Sequence, residues 1–137
     1  MSDLFGQEHV RRYIETDGKE GHIWREGSTV LLLTTTGRKT GNQSTTPLIY
    51  GLDGANPVIV ASKGGAPEDP GWYLNLSKTP EVDVQIEGER FHARARDAAG
   101  EERDRLWAAM NEIWPHYDEY QTKTTRQIPV VVLERIE

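Results

Sequence analysis

The chain has 137 residues and a mass of 15.5 kDa, which suits one hydrophobic core and leaves too little sequence for two. Sixteen lysines and arginines against 22 aspartates and glutamates give a net charge of −6, so affinity for a polyanion must be local and nucleic acid is not an expected partner. Without cysteine there is no disulfide, thiolate metal site or thiol relay, so redox chemistry would need a borrowed cofactor.

The first twenty residues set Arg11, Arg12 and Lys19 against Asp3, Glu8, Glu15, Asp17 and Glu20 and hold no apolar run. They read as neither a secretory signal nor a basic membrane anchor, and no stretch is apolar enough to span a bilayer, so a cytoplasmic chain is expected. Val10, Tyr13 and Ile14 share one face of a helix in this segment. Residues 29–35 are β-branched or apolar almost throughout and stop at Gly37, the pattern of a buried strand. A Gly-Arg-Lys-Thr-Gly turn leads to a second strand over 45–50, and Asp53-Gly54-Ala55-Asn56 turns the chain into a third over 57–61.

Asp69-Pro70 has the form of a helix N-cap followed by proline at the first helical position, opening a short helix that ends at Thr79-Pro80. Val82, Val84 and Ile86 alternate with polar residues, and 91–96 alternates again after Glu87-Gly88, which predicts a hairpin with one wet face. Leu106, Met110 and Ile113 mark a helix between 101 and 114. Ile128-Pro129-Val130-Val131-Val132-Leu133 closes the chain as a strand whose proline favours an edge or a strand start. Six largely antiparallel strands, an N-terminal helix and helices before the last strand predict a mostly β, α+β barrel. One domain over 1–137 is expected, with a helical segment over 1–28 and the barrel over 29–137.

Neither dinucleotide nor P-loop glycine motifs occur, Val60 stands where a nucleophile elbow before Ser62 needs glycine, and four scattered histidines propose no metal site. Cations concentrate instead beside glycines. Arg38, Lys39 and Lys63 against Asp53 put 34–65 at +2, while the rest of the chain carries −8. Each such turn reads two ways, as a solvated corner or as an anion cradle of backbone N–H groups and side-chain charge. Gly71-Trp72-Tyr73-Leu74-Asn75 likewise reads as barrel packing or as a ligand wall. Trp114, Tyr117 and Tyr120 recur at spacing three, and Pro115 with the acids that follow favours a mobile aromatic cover over a buried continuous helix.

Leu32-Leu33-Thr34-Thr35-Thr36-Gly37-Arg38-Lys39-Thr40-Gly41, Thr46-Pro47-Leu48, Val60-Ala61-Ser62-Lys63-Gly64-Gly65-Ala66, Trp72-Tyr73-Leu74-Asn75 and Ile128-Pro129-Val130-Val131-Val132 together resemble the deazaflavin-dependent nitroreductase family. The resemblance implies a split β-barrel similar to flavin-mononucleotide-binding barrels. It also implies coenzyme F420, whose reduced form would deliver hydride to a quinone or nitroaromatic acceptor. By the same resemblance Arg38, Lys39 and Lys63 would meet the anionic phosphate or tail. Thr40, Ser44, Thr45, Thr46, Pro47, Leu48 and Ile49 would line the strand beside the cofactor. Val60, Ala61, Ser62 and Lys63, with Gly71, Trp72, Tyr73, Leu74 and Asn75, would complete the pocket. Tyr117 falls beside the deazaflavin face as the first catalytic candidate and Ser62 as the second, with Trp114 and Tyr120 flanking the acceptor. Some relatives sit at a membrane through their N-terminal segment, which the acidic start of this chain does not support. The rival readings are a deazaflavin carrier without turnover, with Trp114 as its plug, and a flavin-binding barrel.

Overall fold

Strand β1, Val30–Thr36, is covered on both sides, which is why it reads as a continuous apolar run rather than an alternating one. Leu31 and Leu33 point into the barrel with Ile59, Val82, Val84, Val131 and Leu133. Val30 and Leu32 point outward under Val10 and Tyr13 of helix α1, Gly6–Thr16. Each side chain so buried contributes about 1.5–3 kcal/mol, so two-sided burial makes β1 the spine of the fold. The computed structural model describes residues 4–136, and residues 1–3 and 137, including Asp3 of the N-terminal charge count, lie outside it.

The remaining strands are β2 (Gln43–Ile49), β3 (Gly51–Asp53), β4 (Asn56–Val60), β5 (Glu81–Ile86), β6 (Glu89–Asp97) and β7 (Val130–Ile136). They join one antiparallel sheet in the order β2-β1-β5-β6-β7-β4-β3, which curls until β2 touches β4 in the manner of a split barrel. Register is set from β1, where Leu32 faces Pro47 of β2 and Gln85 of β5. Helix α2 (Gly71–Lys78) follows β4, while α3 (Gly100–Ile113) and α4 (His116–Thr122) lie between β6 and β7. Leu106, Met110, Trp114 and Tyr117 cover the outer face formed by Val58, Val60, Val130 and Val132. Tyr13 ties the first helix to the sheet: its hydroxyl donates to Val30 O at 2.9 Å and accepts the Glu87 N–H at 2.8 Å.

Three expectations shift. The sheet has seven strands rather than six, because three-residue β3 is too short to show a period and pairs with β4 around Gly54. Pro129 stands at the start of β7, one of the two places expected for it, and β7 itself lies between β6 and β4. Helix α2 begins one residue later than its capping pattern predicts, with Pro70 as N-cap, because the Asp69 carboxylate is taken by Arg126 at 2.8 Å. Ile14 also leaves the helix face assigned to it and is 45% exposed.

Candidate functional site

Where the curled sheet brings β2 beside the end of β4, a cleft of about 370 Å³ opens. Pro47, Leu48 and Ile49 form one wall and Val60 the floor of the next strand. Ser62, Lys63 and Gly64 arrive from the turn after β4, and Pro70 and Trp72 from the start of α2. Trp114, Tyr117 and Tyr120 close the far side from the α3–α4 corner, and Phe5 and Trp24 reach in from the N-terminal segment.

The two ends of the cleft differ in chemistry. At one, Ser62 is right-handed (φ −78°, ψ −40°) and Lys63, Gly64 and Gly65 follow at φ 47°, 63° and 87°. A right-handed residue followed by left-handed ones turns successive N–H groups to one side and makes an anion-binding concavity. The Lys63 ammonium is exposed and pairs with Glu68 at 3.2 Å, a surface contact of little energy that an anionic ligand would readily replace. Gly65 must be glycine, because a Cβ there would stand 2.6 Å from the Tyr120 carbonyl oxygen.

The other end is aromatic and mostly dry. Trp114 stacks on Trp24 with centroids 5.9 Å apart and sends its indole N–H to the Tyr120 hydroxyl at 3.4 Å. Tyr117 meets Tyr120 edge-on at 6.2 Å and is 4% exposed. Burial pushes its phenol above the ordinary 10, so the proton stays on through neutral pH. Its hydroxyl has no hydrogen-bond partner among the described residues, where no buried side-chain polar atom is left unsatisfied, so the oxygen keeps some exposed surface, and Tyr117 is one of the residues that line the cleft. The aromatic run is not a detached mobile cover. The break at Trp114-Pro115 between α3 and α4 turns Trp114 and Tyr117 into the outer core beside Val60 and Val130.

Of the residues expected around a cofactor, Pro47, Leu48, Ile49, Val60, Ser62, Lys63 and Trp72 line this cleft. Others lie apart from it. Arg38 donates to Asn75 Oδ1 at 2.8 Å and to Gly71 O at 3.3 Å, while Lys39, Thr40, Ser44 and Leu74 are exposed. Asn75 is buried with its amide spent on Arg38 and on Thr35 Oγ1 (3.1 Å), so it shapes the Gly37 turn instead of facing a ligand. Tyr73 turns to Asp97 at 2.6 Å, Ala61 is fully buried, Thr45 bonds Thr34, and Thr46 lines an adjoining apolar groove with His9 and Val30. Sequence reasoning missed Phe5, Trp24, Gly65 and Arg126. Only Gly65, beside Lys63-Gly64, carried a local signal.

A family model for F420H(2)-dependent quinone reductase matches residues 5–135. A curated F420H(2)-dependent quinone reductase of Mycobacterium tuberculosis is 44% identical over 130 residues, 93% of this chain and 87% of that protein. Among solved structures, an F420-H2-dependent reductase is 42% identical with a TM-score of 0.72, covering 77% of this chain and 93% of that one. Another, described as a domain-swapped dimer, is 39% identical with a TM-score of 0.74 and covers 93% and 96%. The match therefore spans both ends of the cleft, from Phe5 to the strand after Arg126, and the chain belongs to the F420H(2)-dependent quinone reductase family.

Proposed function

We propose that this cleft holds coenzyme F420 and that the chain passes hydride from its reduced form to a quinone. The observation that carries the reading is the joining, in one cleft, of an N–H concavity with Lys63 and an apolar slot ending at a protonated tyrosine. Those residues fit the cofactor: Pro47 to Ile49, Val60 and Trp72 suit a flat ring, and Lys63 with the Ser62–Gly64 backbone suits its phosphate. Arg38 and Lys39, together with Thr40 on the same turn and Ser44 at the start of β2, would meet only the outer anionic tail.

When bound, the reduced deazaflavin supplies the hydride, so the protein need offer no nucleophile. The apolar walls exclude water, and Trp114 and Tyr120 hold a planar acceptor against the ring. Tyr117 keeps its proton and donates a hydrogen bond where negative charge develops on the acceptor oxygen. A phenol held above 10 is too weak an acid to give its proton up fully, so the one proton that completes the hydroquinone after hydride transfer would come from water, with Ser62 as a second hydroxyl in the cleft. Nitroaromatics of similar shape would meet the same aromatic wall. Trp114 stacks on Trp24 and a cleft of about 370 Å³ stays open beside them, which supports turnover over storage. The reading takes 1–137 as one cofactor-binding domain acting in the cytoplasm; no helix among the described residues is long and apolar enough to cross a membrane.

Titration with oxidised F420, followed by turnover of F420H2 with menadione, tests this directly. Tyr117→Phe is expected to leave cofactor affinity unchanged and to lower kcat by about a hundredfold to a thousandfold, the scale of one oxyanion donor. Binding without turnover of any quinone would make the chain a carrier, and preference for flavin mononucleotide would make it a flavin protein.

A further inference from the structure

Arg126 lines no part of the cleft, yet its guanidinium sits behind the Lys63 end of it. Its side chain is 15% exposed and donates to four acceptors: Nε to Ala66 O (3.0 Å), Nη1 to Ala61 O (3.2 Å) and Asp69 Oδ1 (2.8 Å), and Nη2 to Ser62 O (2.9 Å). All four lie on the single crossing from β4 to α2 that carries Lys63 and Gly64. The backbone of Arg126 is fixed in turn by α4, whose Gln121 donates to Arg126 O at 2.7 Å and accepts from Ile128 N at 3.0 Å. A second contact joins the same two parts, since Gly65 lies against the Tyr120 carbonyl with no room for a Cβ.

Lys63 is a non-glycine residue at φ 47°, a conformation that persists only where the surroundings over-determine it. The fork of Arg126 supplies that over-determination by holding the carbonyls on either side of the turn. Lysine could not do the same, because one ammonium cannot span acceptors spread from Ala61 to Asp69.

We infer that Arg126 is a positioning residue for the cofactor: it clamps the 61–69 crossing so that the Ser62–Gly64 N–H groups and Lys63 face the cleft in register with Tyr117 and Tyr120. The inference rests on the F420 reading above. It predicts a division of effect, with cofactor affinity lost while acceptor handling at the aromatic end is kept.

The test is fluorescence titration of wild type, Arg126→Gln, Arg126→Lys and Asp69→Asn with oxidised F420, with amide hydrogen exchange across 61–69 and KM for menadione at saturating F420H2. Arg126→Gln is expected to weaken cofactor binding by about tenfold or more, Arg126→Lys by nearly as much, and Asp69→Asn by about threefold. Exchange at Gly65 and Ala66, whose N–H groups bond Ser62 O and Lys63 O, should quicken in the same order, and KM for menadione should stay within about twofold of wild type. Unchanged binding and exchange in the variants would overturn the inference, as would menadione KM rising in step with cofactor affinity, the mark of general loosening. Should Arg126→Gln fail to fold, Arg126→Lys and Asp69→Asn decide. A wild type that binds no F420 would sink the functional reading instead, and the exchange rates alone would then judge the clamp.

Discussion

Two turns in this chain have nearly the same local chemistry, and the fold treats them differently. Gly37-Arg38-Lys39-Thr40-Gly41 and Lys63-Gly64-Gly65 both set cations beside glycines at the end of a strand. The first closes on itself, with Gly37 N bonded to Asn42 O at 2.7 Å and Gly41 N to Gly37 O at 2.9 Å. From outside it is held by Asn75 and Lys78, and Arg38 spends its guanidinium on that support. The second also closes on itself, with Gly65 N bonded to Ser62 O at 2.9 Å and Ala66 N to Lys63 O at 3.1 Å, but it is held from behind by Arg126 and by α4, and Ser62, Lys63 and Gly64 line the cleft. A basic glycine turn therefore becomes a candidate anion site through what anchors it, and composition alone does not distinguish the two.

The comparison breaks most sharply at the glycines. Gly65→Ala meets both a left-handed φ of 87° and a backbone oxygen 2.6 Å from the new Cβ, so it is expected to cost about 3 kcal/mol or more and to abolish cofactor binding. Gly41→Ala has the φ of 76° alone with open space around it, and should cost about 1–2 kcal/mol with binding retained. Denaturant unfolding of the two variants side by side checks both. Next in size, Asn75→Ala removes the bonds that hold Arg38 and Thr35, for about 1–3 kcal/mol of stability. It should loosen the first turn while hydrogen exchange at Gly65 and Ala66 stays as in wild type.

The smallest effect at neutral pH concerns Tyr73, behind the first turn on α2. Burial, then the bond to Asp97, pushes its phenol to about 12. The unfolded chain would ionise it near 10, so its share of stability is complete below pH 10 and fades as pH rises through about 12. Thermal melts across that window should fall more gently in Tyr73→Phe than in wild type.

Much of this architecture was legible because it is written in short periods. The unbroken run of β1, the alternation of β5 and β6, and the apolar spacing of α3 each need only neighbouring residues to be read. What escaped depends on contacts between distant parts of the chain. Asp69 has the form of a helix cap until Arg126, 57 residues later, takes its carboxylate. Trp114 and Tyr117 look like a lid until the barrel places Val60 and Val130 beneath them. Asn75 looks like a ligand contact until β1 brings Thr35 to its amide. The motif resemblance located the cleft's walls but not their supports, because a support such as Arg126 lies behind the site and leaves no mark beside it in sequence.

On the proposed reading the Lys63 turn holds the phosphate of F420 in the cleft, while the Arg38 turn meets only the outer tail. The most direct test is a titration of Lys63→Ala and Lys39→Ala with oxidised F420, alongside thermal melts of each. Both lysines are exposed, so both variants should melt within about 0.5 kcal/mol of wild type. The account predicts that Lys63→Ala weakens binding by about tenfold and Lys39→Ala by no more than about threefold. Equal losses, or a larger loss for Lys39→Ala, would contradict it.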